Sequence, residues 1–277
     1  MLGFFSKDKR VLVCSLPKAG THLVMSCLSQ FPKMKYGKLC ISSTLAKSSA
    51  NVADAGSDSV VVGVDDPRNI KREVVEKLLK DIPGRRFVAA HVPYSVAMEQ
   101  LVGSLGYKGV LVTRDPRDVV ASHVPFILKT KSHYLHDYYK SLEDDDTRLM
   151  MSITGFSDQN AGVHLESIDR RIRSMLMWSE SSYFISVKFE NLIGAHGGGD
   201  PGIQCCLIEE LAQHVGIALP AGGVGAVAES MIGKGYTFRK GVIGGWRSVL
   251  NGVHKAEFKR LAGKLLIELG YEKDLDW

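Results

Sequence analysis

The sequence predicts an α/β protein whose parallel sheet is flanked by helices on both faces. Short apolar runs alternate along the chain with longer segments of helical periodicity, the arrangement typical of such a sheet. The predicted strands are residues 11–15, 60–64, 87–90, 110–113 and 184–188. Ligands of these folds bind beyond the carboxyl ends of the strands, so we expect functional residues directly after strands.

The segments between the strands show helical periodicity, and the whole chain is predicted to form one domain, residues 1–277. The predicted helices are residues 21–30, 70–80, 96–105, 116–128, 168–180, 203–215 and 255–269. A composition of 45% hydrophobic and 23% charged residues is typical of a globular protein and excludes a fibrous or disordered one. Fourteen of the 28 glycines fall between residues 194 and 245, which indicates a loop-rich stretch.

The net charge of +5 is too small to indicate a nucleic-acid partner, but its distribution is uneven. Residues 1–50 carry eight basic residues and one acid, and residues 231–264 carry the same numbers. Residues 137–169 instead hold eight acids and two basic residues. The two basic regions either converge on one multiply anionic ligand or form separate solvated faces.

The five cysteines, at positions 14, 27, 40, 205 and 206, fit no metal-ligand spacing. An odd number of cysteines in apolar contexts indicates a reduced, cytoplasmic protein. No apolar run approaches the roughly 20 residues of a membrane helix, and the first residues lack the pattern of a signal peptide. We therefore expect no membrane association.

The segment VLVCSLPKAGTHL joins an apolar strand to a short loop and then to a helix beginning at Thr21. A helix N-terminus offers N–H groups and partial positive charge, Gly20 permits close backbone approach, and Lys18 adds a full charge. The lysine precedes the glycine, unlike the phosphate loop of nucleotide hydrolases. An anion site and an ordinary strand-to-helix turn are about equally compatible with this segment alone.

A second candidate anion site follows the strand at residues 110–113. Asp115 as N-cap, Pro116 at the first helical position and Asp118 in the first turn account for the start of a helix. Arg114 has no such structural role, and a guanidinium group there is suited to binding a phosphate. Ser122, further along the helix, can add a hydroxyl group.

Three further features carry candidate chemistry. FRKGVIGGW, residues 238–246, is a cationic glycine-rich loop that can close over an anion or remain a solvated turn. His91 ends the strand at residues 87–90, and a lone histidine in that position is more often structural than catalytic. Phe189 follows the last predicted strand, where it is either a core aromatic residue or a contact for a purine.

These segments resemble motifs of the cytosolic-type sulfotransferases, which transfer a sulfuryl group from 3′-phosphoadenosine 5′-phosphosulfate (PAPS) to a hydroxyl or amine. SLPKAGTHL is similar to the 5′-phosphosulfate loop, RDPRDVVAS to the 3′-phosphate motif and FRKGVIGGW to the Arg-Lys-Gly motif. AHVP resembles the segment that carries the family's general base, and KFENL resembles a strand end of the family. The resemblance covers about 160 residues and implies a P-loop-like sulfotransferase fold.

Carried over residue by residue, the resemblance implies His91 as general base and Lys18 as the residue that stabilises the leaving group. It implies a PAPS site, with PAP as product and no metal, made of Lys18, Ala19, Gly20, Thr21, His22, Leu23, Arg114, Ser122, Phe189, Phe238, Arg239, Lys240 and Gly241.

The chain departs from the family pattern at several positions, which include Ala19 and His22 in the 5′-phosphosulfate loop. Leu23 replaces the tryptophan that packs on the adenine, Ala89 replaces a lysine two residues before the histidine, and Gly245 replaces an aspartate. The short dimerisation motif of the family is not present in RSVLNGVHKAE, so the oligomeric state stays open.

The implied acceptor is a small molecule with a hydroxyl, amine or carbamoyl nitrogen. The acidic region at residues 137–169 favours a polar cationic natural product of the saxitoxin kind. Two alternatives remain. A nucleotide kinase or NTPase is suggested by residues 60–66, VVVGVDD, which look like a Mg²⁺-binding strand end; a non-enzymatic polyanion-binding module is suggested by the basic regions.

Overall fold

The computed structural model describes residues 9–56, 58–232 and 241–277. The strands are β1 (Arg10–Ser15), β2 (Lys35–Ile41), β3 (Ser59–Val62), β4 (Arg68–Lys71), β5 (Arg86–Ala90), β6 (Tyr107–Thr113), β7 (Phe156–Asp158), β8 (Val163–Leu165) and β9 (Phe184–Lys188). Five of them form a parallel sheet in the order β2-β5-β1-β6-β9, and β3-β4 and β7-β8 form antiparallel pairs.

Helices connect these strands and cover the sheet. They are α1 (Thr21–Gln30), α2 (Arg72–Lys80), α3 (Val96–Ser104), α4 (Pro116–Lys129), α5 (His136–Ser141), α6 (Asp145–Thr154), α7 (Ile168–Leu176), α8 (Phe189–Leu192), α9 (Pro201–Val215), α10 (Gly223–Ser230) and α11 (Gly252–Glu268). The predicted fold class is confirmed. Among the described residues, no helix combines the length and apolar character needed to cross a membrane.

The central strand β1 shows why the strands are continuous apolar runs. Val11 and Val13 pack into one hydrophobic layer, whereas Leu12 and Cys14 pack into the layer on the opposite face. Because helices cover both faces, neither set of alternating side chains meets water. All four side chains are fully buried.

The structure differs from the predicted elements in several places, and it contains further elements that were not predicted: β4, β7, β8, α5, α6, α8 and α10. The predicted strand at 60–64 is shorter and lies in the β3-β4 pair, outside the parallel sheet. The edge strand β2 was not predicted, because its sequence KYGKLCI mixes exposed lysines with apolar residues. The predicted helix at 168–180 ends at Leu176 and continues as a 3₁₀ turn, Met177–Glu180.

A buried ion pair joins the loop after β3 to α7. Arg171 is 1% exposed, and its Nη1 lies 3.0 Å from Oδ1 of Asp65. Arg171 also donates to the carbonyl oxygen of Ser152 at 2.6 Å. Burial raises the pKa of the Asp65 carboxyl group, but the charges of Arg171 and His123 lower it by a larger amount. The pKa of Asp65 is therefore below its usual value.

We expect Arg171→Met to destabilise the fold by about 3–5 kcal/mol, because it leaves the buried carboxylate of Asp65 without its charge partner. The matched control is Arg173→Met, which removes a half-exposed arginine from its pair with Glu268 and should cost less than about 1 kcal/mol. Urea unfolding of both variants measures the two losses. Equal, small losses would show that the Asp65–Arg171 pair does not stabilise the fold.

Candidate active site

A cavity of about 360 Å³ opens at the carboxyl edge of the parallel sheet, beyond β5, β1 and β6. Predicted site residues that line it are Lys18, Gly20, Thr21, His22, Leu23, His91, Arg114, Ser122, Phe189 and Gly241. Four segments therefore meet in one place. They are the loop after β1, the end of β5, the segment from Arg114 into α4, and the end of β9. Phe238, Arg239 and Lys240 lie outside the described residues.

The loop after β1 takes an unusual backbone path. Lys18 has φ 72° and Gly20 has φ 112°, both in the region that favours glycine. A Cβ atom on Gly20 would lie 2.8 Å from Cδ2 of Phe189, so the aromatic ring packs directly against this backbone. Helix α1 begins at Thr21 with neither a side-chain cap nor an acidic residue in its first turn. No side chain of its own first turn therefore offsets its positive dipole end, and Gly20, Thr21 and His22 at this end line the cavity.

One residue predicted for the donor site is placed elsewhere. The side chain of Ala19 is 1% exposed and belongs to the hydrophobic core, and its N–H donates to the carbonyl oxygen of Leu16 at 3.1 Å. Ala19 does not appear in the lining of the cavity. The N–H group of Ala19 is therefore used within the turn.

Arg114 is fixed by contacts on several sides. Its guanidinium carbon lies 4.1 Å from the ring centroid of Phe189, and its side chain is 11% exposed. Nη1 donates to the carbonyl oxygen of Lys18 at 3.3 Å, and Nη2 donates to that of Val242 at 3.0 Å. Its buried Nε has no hydrogen-bond partner among the described residues. The guanidinium is thus oriented before any ligand binds.

Asp118 has a role that the sequence did not reveal. As predicted, Asp115 caps α4 by accepting from the Arg117 N–H at 2.9 Å. Asp118, however, accepts from the N–H groups of Gly244 and Trp246 at 2.8 and 2.9 Å. It therefore ties the segment after residue 240 to the helix that follows Arg114. No local pattern predicts this link across more than 120 residues.

His91 lies at the end of β5 with one ring nitrogen occupied. Its Nδ1 is 2.7 Å from the carbonyl oxygen of Ser15, and because a carbonyl only accepts, Nδ1 carries the proton. Nε2 is therefore the ring nitrogen available to other groups. Burial lowers the pKa of His91, but interactions with the Cys40 thiol, the Ser15 carbonyl and the Asp65 charge raise it above its ordinary value.

The histidine and the first anion loop lie close enough for their charges to interact. The pKa of His22 is lowered by burial and by the charges of Lys18 and His91. Nζ of Lys18 lies 4.3 Å from the ring centroid of Phe126, which also lines the cavity. Lys18, His91 and Phe126 thus lie near one another in the cavity lining.

The cavity lining also includes residues that the sequence analysis did not assign to the site. Met25, Tyr36, Cys40, Ala89 and Phe126 line it. Tyr36 and Cys40 belong to β2, the strand that was not predicted. Met25 and Phe126 lie on predicted helices, and Ala89 was identified only as the position of the family's lysine. Cys40 comes near His91 because β2 pairs with β5, and this pairing was not predicted from the sequence.

A second polar cluster lies beneath this site. Asp65, His123 and His133 bring potential metal ligands within 4.8 Å of one another. One carboxylate oxygen of Asp65 already pairs with Arg171, and Nδ1 of His133 accepts from the Leu135 N–H at 3.2 Å. Nε2 of His123 lies 3.7 Å from the other carboxylate oxygen of Asp65 and has no hydrogen-bond partner among the described residues.

The fold and the site together define an α/β protein with an anion-binding cavity at the carboxyl edge of its sheet. The sulfotransferase domain model matches residues 8–194, two thirds of the chain. The chain belongs to the sulfotransferase family and is a sulfotransferase enzyme. The match includes Lys18, His91, Arg114, Ser122 and Phe189 and ends before Gly241.

Solved structures share this fold at low sequence identity. Mouse sulfotransferase SULT7A1 complexed with PAP superposes with a TM-score of 0.61 at 16% identity, covering 94% of this chain and 84% of that one. Retinol dehydratase in complex with androsterone and the inactive cofactor PAP gives a TM-score of 0.54 at 14% identity, covering 93% and 80%. A search of curated proteins found no significant match.

We expect Gly20→Ala to destabilise the protein by about 1–3 kcal/mol, because the new methyl group meets the Phe189 ring and alanine is strained at this φ. The matched control is Gly225→Ala in α10, where a Cβ meets nothing within 4 Å. That change should be neutral or stabilising by up to about 1 kcal/mol. Urea unfolding measures both; a Gly20 variant as stable as the control would refute the close packing.

Proposed function

We propose that this enzyme transfers a sulfuryl group from PAPS to a hydroxyl group of a small molecule. The observation that carries the proposal is that Lys18, His91 and Arg114, from three neighbouring strand ends, line one cavity. The PAP named in both structural neighbours supports the same donor here. The free cysteines support a reducing compartment, and we propose a cytoplasmic protein of a single domain.

The residues present fit a donor with two phosphate groups. The start of α1, Gly20 and Lys18 suit the 5′-phosphosulfate, because dipole, close backbone and cation coincide there. Arg114 and Ser122 suit the 3′-phosphate, and the buried Nε of Arg114, which has no partner among the described residues, is a further donor for it. Phe189, which packs against Gly20 and Arg114, is placed between the two sites.

PAPS supplies an activated sulfuryl group whose bond to the 5′-phosphate breaks as the bond to the acceptor oxygen forms. Nε2 of His91 accepts the acceptor's proton, because Nδ1 already carries a proton held by Ser15. Lys18 and the first turn of α1 stabilise the negative charge that grows on the leaving phosphate. The enzyme's own cations perform this neutralisation, so the proposed reaction requires no metal.

The described lining favours an uncharged, partly apolar acceptor. Met25, Tyr36, Ala89 and Phe126 line the same cavity as His91. Among the described lining residues the single carboxylate is Asp118, and it binds the backbone of the segment after residue 240. The acids of residues 137–169 do not appear in this lining. A small neutral alcohol or phenol therefore fits better than the cationic natural product that the charge pattern favoured.

The alternatives drawn from the sequence gain less support. In a nucleotide kinase, Asp65 would hold Mg²⁺, yet its charge is paired with Arg171 in the interior. A polyanion-binding module needs basic side chains spread over an open surface. Here Lys18 and Arg114 instead line one cavity of limited volume.

Lys18→Ala and Arg114→Ala should affect different steps. Loss of Lys18 removes charge stabilisation that grows in the transition state, so kcat should fall by about 100-fold or more while PAP affinity changes little. Loss of Arg114 should weaken PAP binding at least about tenfold. Steady-state kinetics and calorimetric PAP titrations separate the two effects. Wild-type PAP affinity in the Arg114 variant would refute the 3′-phosphate assignment.

The reaction itself is tested by incubating the enzyme with PAPS and a panel of phenols, aliphatic alcohols, amines and guanidinium compounds. We expect mass spectrometry to show sulfonated products from neutral hydroxyl compounds first, and none from His91→Ala. ATP with Mg²⁺ is the control donor and should give no product. Faster turnover of guanidinium compounds than of every neutral hydroxyl would favour the cationic acceptor instead.

A further inference from the structure

The segment of residues 241–246 forms part of the cavity wall beside Arg114. Gly241, Val242 and Gly245 of this segment line the cavity. The carbonyl oxygen of Val242 accepts from Nη2 of Arg114 at 3.0 Å, and this hydrogen bond is one of the contacts that orient the guanidinium group. The position of Arg114 therefore depends on how the 241–246 segment is held.

The end of the 241–246 segment is held by the side chain of Trp246 as well as by the backbone contact to Asp118. Trp246 is buried, and its ring centroid lies 4.1 Å from the guanidinium carbon of Arg117. Arg117 is itself fully buried in the first turn of α4, three residues after Arg114. A cation against an aromatic ring is most favourable where water is excluded. Arg117 thus gives the segment a second point of attachment.

Two carboxylates fix the charge and the orientation of Arg117. Its Nε and Nη2 donate to the carboxylate oxygens of Asp115 at 3.0 and 2.8 Å, and its Nη1 pairs with the carboxylate of Glu272. Burial lowers the pKa of Arg117, but the interactions with Asp115 and Glu272 raise it above its ordinary value. The guanidinium group is therefore held between the start of α4 and the segment that follows α11.

That segment also brings a second tryptophan to Arg117. The ring centroid of Trp277 lies 4.4 Å from the guanidinium carbon of Arg117, and the Trp277 and Trp246 rings meet edge to face with centroids 5.6 Å apart. Leu275 packs closely against α11, since a Cβ added to Gly263 would lie 2.6 Å from its Cδ2. Arg117, Trp246 and Trp277 thus form one group, the tryptophan cluster.

Three side chains around the start of α4 contact the same segment. Arg114 donates to the carbonyl oxygen of Val242. Asp118 accepts from the N–H of Trp246 at 2.9 Å, and Arg117 packs against the Trp246 ring. Because these three side chains lie within about one helical turn, a shift of Trp246 would also move the carbonyl group that orients Arg114. Arg114 is the residue assigned to the 3′-phosphate of the donor.

We propose that Arg117 and Trp277 are positioning residues for the 3′-phosphate of the donor. The tryptophan cluster holds the end of the 241–246 segment, and the carbonyl group of Val242 in that segment orients Arg114. Neither Arg117 nor Trp277 lines the cavity, so both should affect the affinity for the donor and leave turnover of the bound donor nearly unchanged. The ligand rests on the proposed function, whereas the hold of the cluster on the segment does not.

The test compares calorimetric titrations with PAP and with adenosine 5′-monophosphate, which lacks the 3′-phosphate. In Trp277→Ala the affinity for PAP should fall about tenfold, whereas the affinity for adenosine 5′-monophosphate and the kcat at saturating PAPS should stay within about twofold of wild type. Arg117→Lys should weaken PAP binding in the same selective way, because an ammonium group does not reproduce the planar fork between two carboxylates.

Two further variants control this comparison. Trp277→Phe keeps an aromatic ring beside Arg117 and should restore most of the affinity for PAP. Leu275→Ala shortens a half-exposed side chain of the same segment that packs against α11, and it should bind PAP as wild type does. A loss in Leu275→Ala as large as that in Trp277→Ala would overturn the specific role of the tryptophan.

Hydrogen exchange of the protein without nucleotide tests the hold of the cluster directly. The N–H groups of Gly244 and Trp246, which donate to Asp118, should exchange at least about fivefold faster in Trp277→Ala. Peptides of β1 and β6 should exchange as in wild type, which shows that the fold is intact. Unchanged exchange of Gly244 and Trp246 would overturn the positioning role, even if the wild type bound no nucleotide.

The binding results separate the two levels of the proposal. Equal losses of affinity for PAP and for adenosine 5′-monophosphate in Trp277→Ala would overturn the link to the 3′-phosphate. A wild-type enzyme that binds PAP no more tightly than adenosine 5′-monophosphate would instead overturn the proposed donor site. In that case faster exchange in Trp277→Ala would still support the hold of the cluster on the 241–246 segment.

Discussion

The parallel pairing of β5, β1 and β6 is the constraint on which the site depends. Cys14 of β1 is level with Ala90 of β5 and with Leu111 of β6. The three strands therefore end at the same edge, and the residues that follow them meet there. Lys18, His91 and Arg114 are far apart in sequence but come to one cavity because of this register. Shifting any of these strands by one residue would also exchange its two buried faces.

A second set of contacts fixes the orientation of the groups that this register brings together. Phe189 packs on Gly20 and on the guanidinium of Arg114, so one ring supports both anion sites. Asp118 draws the backbone of Gly244 and Trp246 towards the same helix start. Such fixed cations and dipoles need little reorganisation when an anionic donor binds, which is how electrostatic stabilisation becomes effective.

Much of the fold and the donor side could be predicted from the sequence, because those features are local. The strand of β1, the start of α1 at Thr21 and the Asp115 cap depend on neighbouring residues. The residues on the acceptor side could not be predicted from the sequence, because their positions depend on pairing between distant segments. The register between β2 and β5 determines the position of Cys40. Asp65 forms a buried ion pair with Arg171, which is distant in sequence. The distribution of charge along the sequence also failed to predict the acceptor side, because the acids of residues 137–169 do not line the cavity.

The most direct measurement is a crystal structure of the enzyme soaked with PAP. The 5′-phosphate should lie against the start of α1 with Lys18 beside it, and the 3′-phosphate should lie between Arg114 and Ser122. His91 should then face open space beyond the 5′-phosphate, lined by Phe126. PAP bound outside this cavity, or with its two phosphates exchanged, would contradict the proposed roles of Lys18, Arg114 and His91.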